Sequence, residues 1–285
     1  MQTYLITGCN GQLGRALNEI LKDRKDVKII NTDIDTLNIC DPDEVMSFVK
    51  DKKPDLIINC AAHTAVDRCE TDEENAHNIN ANGPKYLAMA AAACGADIVQ
   101  VSTDYVFDGE SKEPYIENDT PGPQSVYGRT KLAGEQAVAE ATKNHYIVRT
   151  AWLYGEGGNF VRTMLRLAQE RDLITVVNDQ FGSPTSAIEL ARAILFIVEN
   201  DKCDYGIYHA TCEGYTSWYQ FACTIFEKAG VNIKVEPVTS EEYKAAAKRP
   251  KYSKLENAAL KRAGYIMKAW EDALDEYLSK ESDIK

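Results

Sequence analysis

The chain has 285 residues, with 44 Asp and Glu against 32 Lys and Arg and a formal net charge of −12. That length builds one large or two ordinary domains around an ample core. The acidic balance argues against wrapping nucleic acid or lying on an anionic membrane. No apolar run is long enough to span a bilayer, and MQTYLITGCNGQLG lacks the charged region and long apolar core of a signal peptide. The eight cysteines and four histidines show neither C-x-x-C nor H-x-x-x-H spacing, so a cytoplasmic protein with reduced thiols and no metal is expected.

In chain order, TYLITG reads as a short apolar strand running into GCNGQLG and then a helix, RALNEILKD. Gly8, Gly11 and Gly14 form G-x-x-G-x-x-G. Glycine permits a tight turn and close backbone approach to a pyrophosphate, which then sits on a helix N-terminus. The pattern alone is weak; a strand before it and a helix after it strengthen it. A second strand, VKIINTD, ends at Asp33, where an acidic residue accepts both ribose hydroxyls of an adenosine. The bland alternative is a loop carboxylate or helix cap, and the glycines favour the ribose. No arginine follows, so a 2′-phosphate would meet a like charge, and NADH is expected in preference to NADPH, with NADPH possible.

DPDEVMSFVKDKKPD reads as a helix with Asp41 near its N-cap and Pro42 at N1. LIINCAAHTAVD is a third buried strand and a loop, in which small Ala61 and Ala62 leave room for a ligand. His63 reads as a wall of the cofactor site rather than an acid or base. ENAHNINANGPKYLAMAAAACG is an alanine-rich helix suited to close packing. IVQVS is strand four, VYGRTKLAGEQAVAEA the helix after it, and YIVRTAWLYG strand five. This alternation implies an α/β fold, a Rossmann-type doubly wound parallel sheet with right-handed crossovers.

The helix after strand four carries Tyr127 and Lys131. Four residues apart, they lie on one helical face. A hydroxyl at the strand's end, Thr103, with a phenol and an ammonium beside it, can polarise a carbonyl and protonate it. An ammonium near a phenol favours the phenolate, so Lys131 is expected to lower the pKa of Tyr127. Fifteen tyrosines give about one accidental Tyr-x-x-x-Lys in an average composition, yet Tyr127 is the only tyrosine with a lysine four on.

From about Gly155 the character changes. GEGGNFVRTMLRLAQERD is a glycine turn and an amphipathic helix, TVVNDQFGSPTS a strand and turn, and AIELARAILFIVEN another helix. GIYHATCEGYTSWYQFACTIFEKAG is a strand and an aromatic-rich helix, and the tail is a basic loop between two helices. The expected division is residues 1–154 for dinucleotide and 155–285 for a smaller α/β substrate-binding domain, some segments of which return to the first.

GxxGxxG, STDYVFDG and Tyr127-x-x-x-Lys131 resemble the extended short-chain dehydrogenase/reductase family. Within it, NCAAHTAVDRCE, STDYVFDG, VYGRTKLAGE, RTAWLYG, NDQFGSPT and KRPKYSKL resemble the dTDP-4-dehydrorhamnose reductase family, over nearly the whole chain. The resemblance implies reduction of the 4-keto group of dTDP-4-dehydro-L-rhamnose to dTDP-L-rhamnose, in dTDP-rhamnose biosynthesis. It implies that Gly11, Gln12 and Leu13 line the cofactor phosphates, that Asp33 holds the ribose, and that Asn38 and Ile39 sit at the adenine. Ala62, His63 and Thr64 would face the cofactor. Tyr127 would be the acid, Lys131 would bind the nicotinamide ribose, and Thr103 and Asp104 would meet the sugar. Asn80, in NINANGP, would support the lysine. Trp152 would edge the deoxysugar, with a core tryptophan the equal alternative, and Arg249 would hold the diphosphate. Relatives that bridge dimers through a metal carry acidic residues where this chain reads Arg15-Ala16, so no metal is expected; the oligomeric state stays open.

Two rival readings remain. One is another nucleotide-sugar reductase or epimerase of the same fold; a dehydratase usually carries Asp-Glu after the strand-four threonine, where this chain has Asp104-Tyr105. The other is a non-catalytic NAD-binding regulatory subunit, whose mark would be loss of the tyrosine or lysine.

Overall fold

The computed structural model describes residues 1–280; positions 281–285, the end of the expected second domain, lie outside the described residues. Six strands form one sheet: β1 (Gln2–Thr7), β2 (Val27–Thr32), β3 (Leu56–Asn59), β4 (Asp97–Thr103), β5 (His145–Thr150) and β6 (Gly206–His209). Their order is β6-β5-β4-β3-β1-β2, and every pairing is parallel. This is the doubly wound sheet expected from the sequence.

Successive side chains of a strand point to opposite faces. Leu5, Ile57 and Ile98 therefore enter one core, and Tyr4, Ile6, Ile58 and Val99 the other. Over the first core lie α2 (Pro42–Lys52), α3 (Gly83–Cys94) and α4 (Val126–Ala141); under the second lie α1 (Gln12–Leu21) and α6 (Ala187–Glu199). Parallel strands covered on both faces read as continuous apolar runs, as LIIN and IVQVS do. From β1 the chain steps to β2 on one side and β3 on the other. The carboxyl ends of β1 and β3 thus diverge, and a crevice opens there.

Three local expectations differ from what is observed. The first helix begins inside the glycine motif, at Gln12. The alanine-rich segment is not one helix: Glu73–His77 passes through a wide π-helical turn, Asn78–Asn82, before α3 starts. Strand five stops at Thr150, because Trp152 adopts a left-handed backbone with φ 48°; Leu153–Tyr154 then pairs with Thr185–Ser186.

The second half contributes its own core, built from Tyr154, α5 (Phe160–Glu170), α7 (Trp218–Ala229) and α8 (Trp270–Lys280). There Leu173–Val177 pairs in parallel with Lys234–Val238. α6 and β6 belong to the large sheet instead. The eight cysteines are free thiols. No helix among the described residues is long and apolar enough to cross a membrane.

Candidate active site

The glycines are required by contact as well as by conformation. Gly8 has φ +62°, and a Cβ there would lie 2.7 Å from the Ala61 nitrogen. At Gly14 it would come within 2.5 Å of the Gly8 carbonyl oxygen. The Gly11 N–H closes the turn on the Gly8 carbonyl at 3.0 Å. Gly11 also caps α1 without a side-chain bond, so the first-turn N–H groups have no protein cap, and Gln12 Oε1 is buried without a partner. A bare helix N-terminus in a tight glycine turn suits a dinucleotide pyrophosphate. Asp33 ties the end of β2 to this turn, accepting from the Asn10 N–H at 3.0 Å and the Ile34 N–H at 2.9 Å. Arg15 is a cation that sequence adjacency to Asp33 did not reveal. Its Nε donates to the Asn10 carbonyl at 2.8 Å and its Nη1 to Glu156 at 2.6 Å.

Past β3, Ala62 and Thr64 line the cleft. His63 stands behind them, and Asn80 clamps its main chain. Asn80 Oδ1 accepts from the His63 N–H at 2.8 Å, and its Nδ2 donates to the His63 carbonyl at 3.1 Å and to the Thr130 hydroxyl at 3.2 Å. The π-helical turn brings Asn80 there, a common use of such turns at functional sites. Asn80 thus holds the loop after β3 and touches α4 through Thr130, not through the expected lysine. Asn38 and Ile39 are not on the cleft wall. Ile39 is 6% exposed and packs in the core against Gly83, and the side-chain Oδ1 of Asn38 is taken by the Cys40 N–H. The apolar isoleucine went to the nearest core because burial there outweighs an exposed adenine wall.

Thr103, Asp104, Tyr127 and Lys131 meet in this cleft of about 620 Å³ at the ends of β3 and β4. α4 starts cleanly because Ser125 accepts the Gly128 N–H at 3.1 Å. The Thr103 hydroxyl donates to Asp104 Oδ1 at 2.8 Å and accepts the Tyr105 N–H at 3.2 Å. Lys131 is buried, and its Nζ donates to the Val101 carbonyl at 2.7 Å. Burial pulls its pKa down to about 8 against the Glu135 charge. One turn on, Glu135 is itself locked to Arg149 by bonds of 2.9 and 2.7 Å. The Tyr127 phenol is held well above its ordinary range, by burial first; the Thr103 hydroxyl pulls it down and the Asp104 charge pushes it up. This corrects the expectation that Lys131 lowers Tyr127. The ammonium is engaged with a backbone carbonyl, and desolvation dominates the phenol.

At the outer end, Trp152 lines the cleft and stacks on Trp218 with ring centroids 3.6 Å apart and 9° between planes. A Cβ at Gly182 would lie 2.6 Å from the Trp152 ring, so glycine there makes room for the indole. Trp218, at the start of α7, escaped the sequence reading; the aromatic run of its helix was its only signal. Arg249 is not on the cleft wall. Its Nη2 donates to Asp67 Oδ2 at 2.8 Å, its guanidinium lies 5.9 Å from the Tyr243 ring centroid, and its Nε is buried without a partner. Asp67 also accepts the Ala247 N–H, so one carboxylate pins the basic loop to the loop after β3.

A parallel sheet with its crevice at β1/β3, a glycine turn closing it and a Tyr-x-x-x-Lys pair facing it define an extended short-chain dehydrogenase/reductase. Residues 1–282 match the family model for the RmlD substrate binding domain. The chain belongs to the dTDP-4-dehydrorhamnose reductase family. It is 41% identical to the dTDP-4-dehydrorhamnose reductase of Aggregatibacter actinomycetemcomitans, covering 96% of this chain and 97% of that one. The crystal structure of a dTDP-4-dehydrorhamnose reductase from Clostridium acetobutylicum is 51% identical, with a TM-score of 0.95 over 98% of this chain and 99% of that one. A reductase from Bacillus anthracis in complex with NADP is 42% identical, with a TM-score of 0.95 over 98% of this chain and all of that one.

Proposed function

We propose that this protein reduces the 4-keto group of dTDP-4-dehydro-L-rhamnose to dTDP-L-rhamnose with a nicotinamide dinucleotide. The observation that carries the reading is the convergence of Thr103, Tyr127 and Lys131 on one cleft beside an uncapped glycine turn. The bound nicotinamide supplies hydride to the carbonyl carbon. Gly8, Gly11, Gln12, Leu13 and Gly14 hold the phosphates, Asp33 the adenosine ribose, and Ala62 and Thr64 the cofactor's inner side.

As hydride arrives, negative charge builds on O4. Tyr127, a phenol kept fully protonated by its buried setting, gives that oxygen its proton. Lys131 is buried yet mostly charged at neutral pH; turned from the Val101 carbonyl, it binds the nicotinamide ribose and steadies the phenolate left behind. Thr103 donates to the carbonyl, Asp104 meets the sugar, and Trp152 with Trp218 makes its apolar wall. Arg249 exchanges Asp67 for the substrate diphosphate, a charge-assisted partner of higher charge. Residues 155–280 in this reading supply the sugar side and residues 1–154 the cofactor side.

NADH is the preferred cofactor, because the Asp33 carboxylate repels a 2′-phosphate and Glu156 neutralises Arg15. The test is oxidation of NADH and of NADPH against a panel of dTDP-4-keto sugars. Turnover of the rhamnose precursor, with the higher kcat/KM for NADH, is expected. No turnover of any member sinks the reductase reading, and a clear NADPH preference removes Asp33 as the ribose ligand.

A further inference from the structure

A hydroxyl has one hydrogen to give and two lone pairs with which to accept. At Thr103 the hydrogen and one lone pair are spent. The hydrogen goes to Asp104 Oδ1, and the Tyr105 N–H takes one lone pair. In this arrangement the Thr103 hydrogen is committed to Asp104 and cannot be given to a substrate oxygen.

Asp104 enforces it, since an ionised carboxylate only accepts. Asp104 is 2% exposed, and its Oδ2 has no hydrogen-bond partner. A buried carboxylate with one bare oxygen is poorly solvated and is stabilised by taking up a proton.

We propose that Asp104 is a proton-operated positioning residue: when protonated it donates to Thr103 Oγ1, which frees the Thr103 hydrogen for the substrate carbonyl. This rests on the reductase reading above. The step takes one proton from water onto the carboxylate and reverses one hydrogen bond; no bond of the substrate is made or broken in it.

Burial pushes Asp104 up to about 6, against the pull of the Thr103 hydroxyl; the Ser253 hydroxyl is given to the Phe181 carbonyl at 3.3 Å. Tyr105 and Tyr127 face it, and both stay protonated because burial and the Asp104 charge push them up. Arg249 and Asp67 act on Tyr105 from beyond it. Lys131 on α4 titrates near 8, so Asp104 is the group among these that changes charge near pH 6.

The test is kcat/KM for the keto sugar nucleotide from about pH 5 to about pH 7.5, below the Lys131 transition. Wild type is expected to fall roughly tenfold as pH rises through Asp104, about what one neutral hydrogen bond is worth. Asp104→Asn carries a permanent donor and should give a flat profile. Asp104→Leu, with no donor, should be flat and low, and unchanged NADH affinity in both would show an intact fold. A wild-type slope persisting in Asp104→Asn, or absent from wild type, overturns the proposal. If wild type turns over no keto sugar at any pH, the reductase reading is what fails. The switch is then read in the free protein from the Asp104 carboxyl carbon by NMR. Titration near pH 6 that moves upward in Thr103→Val supports the switch, and no titration above about pH 5 defeats it.

Discussion

Tyr127→Phe removes one oxygen and leaves the ring, so its edge contact with Tyr105 at 5.3 Å and the local packing survive. Turnover should fall by roughly 10²–10⁴, as for a positioned general acid, while NADH affinity holds. Lys131→Ala should cost as much and also loosen the cofactor, because the ribose contact goes with it. Near-normal turnover in Tyr127→Phe would remove the proposed acid. Arg249 makes a different case, because its ion pair with Asp67 must open before a diphosphate can take it. A charge-assisted bond to a diphosphate is worth about 1.5–3 kcal/mol. Arg249→Ala should therefore raise KM for the sugar nucleotide roughly ten- to a hundredfold and leave that for NADH almost unchanged. Equal effects on both would mean that Arg249 only ties two loops together.

At the scale of elements, α4 is the piece on which the site depends, and its glycines set how closely it approaches. A Cβ at Gly128 would lie 2.2 Å from the Tyr105 carbonyl oxygen, and one at Gly134 2.2 Å from that of Asn80. Both obstacles are backbone, which cannot swing aside as a side chain does. Gly134→Ala is helix-compatible by propensity, yet it should destabilise by about 1–3 kcal/mol through overpacking. The push falls on the π-helical turn that holds His63, so NADH affinity should weaken as well. Chemical denaturation and cofactor titration on one variant check both. A variant more stable than wild type would mean that the two elements part easily.

Across the whole molecule, one buried cluster carries a risk with pH. The sheet's far end buries Arg149 with Glu135 and, beside them, His209, which is 0% exposed. His209 Nδ1 lies 3.1 Å and 3.2 Å from the carbonyls of Tyr115 and Glu256, and Phe107 packs on its edge. Burial, then the Arg149 charge, pulls its pKa down to about 3 from an ordinary 6.5. The folded value is depressed, so the unfolded chain binds the extra proton between those limits. The contribution is therefore full above pH 6.5 and is lost as pH falls toward 3. His209→Gln keeps a donor for the carbonyls without the titration. The drop in urea midpoint between about pH 7.5 and about pH 5 should be smaller in the variant than in wild type. An equal drop in both would place the acid sensitivity elsewhere.

The sheet, the glycine turn and the Tyr127–Lys131 pair were legible in the sequence because each is a local signal. Apolar runs, a three-residue glycine spacing and a four-residue helical spacing are set by backbone geometry and survive whatever packs around them. The place of Asp33 at the end of β2 was legible for the same reason, and its bond to the glycine turn through the Asn10 N–H appeared only in the fold. The rest depended on residues that meet only in space. Trp218 reaches Trp152 from a distant helix, Arg249 meets Asp67 across 182 positions, and Arg15 approaches Asn10 where a linear reading sees no neighbouring cation. Ile39 was assigned to a ligand and went to the core, because the packing of α3 and Gly83 against it is not written in its own segment. The direction of the Tyr127 shift was also beyond reach, since a spacing names the charge nearby and not the water removed. Local geometry dictated which chemical groups this protein has and on which elements they stand. Tertiary burial decided how those groups are protonated and toward what they point, because desolvation and hydrogen-bond saturation are properties of the assembled cleft.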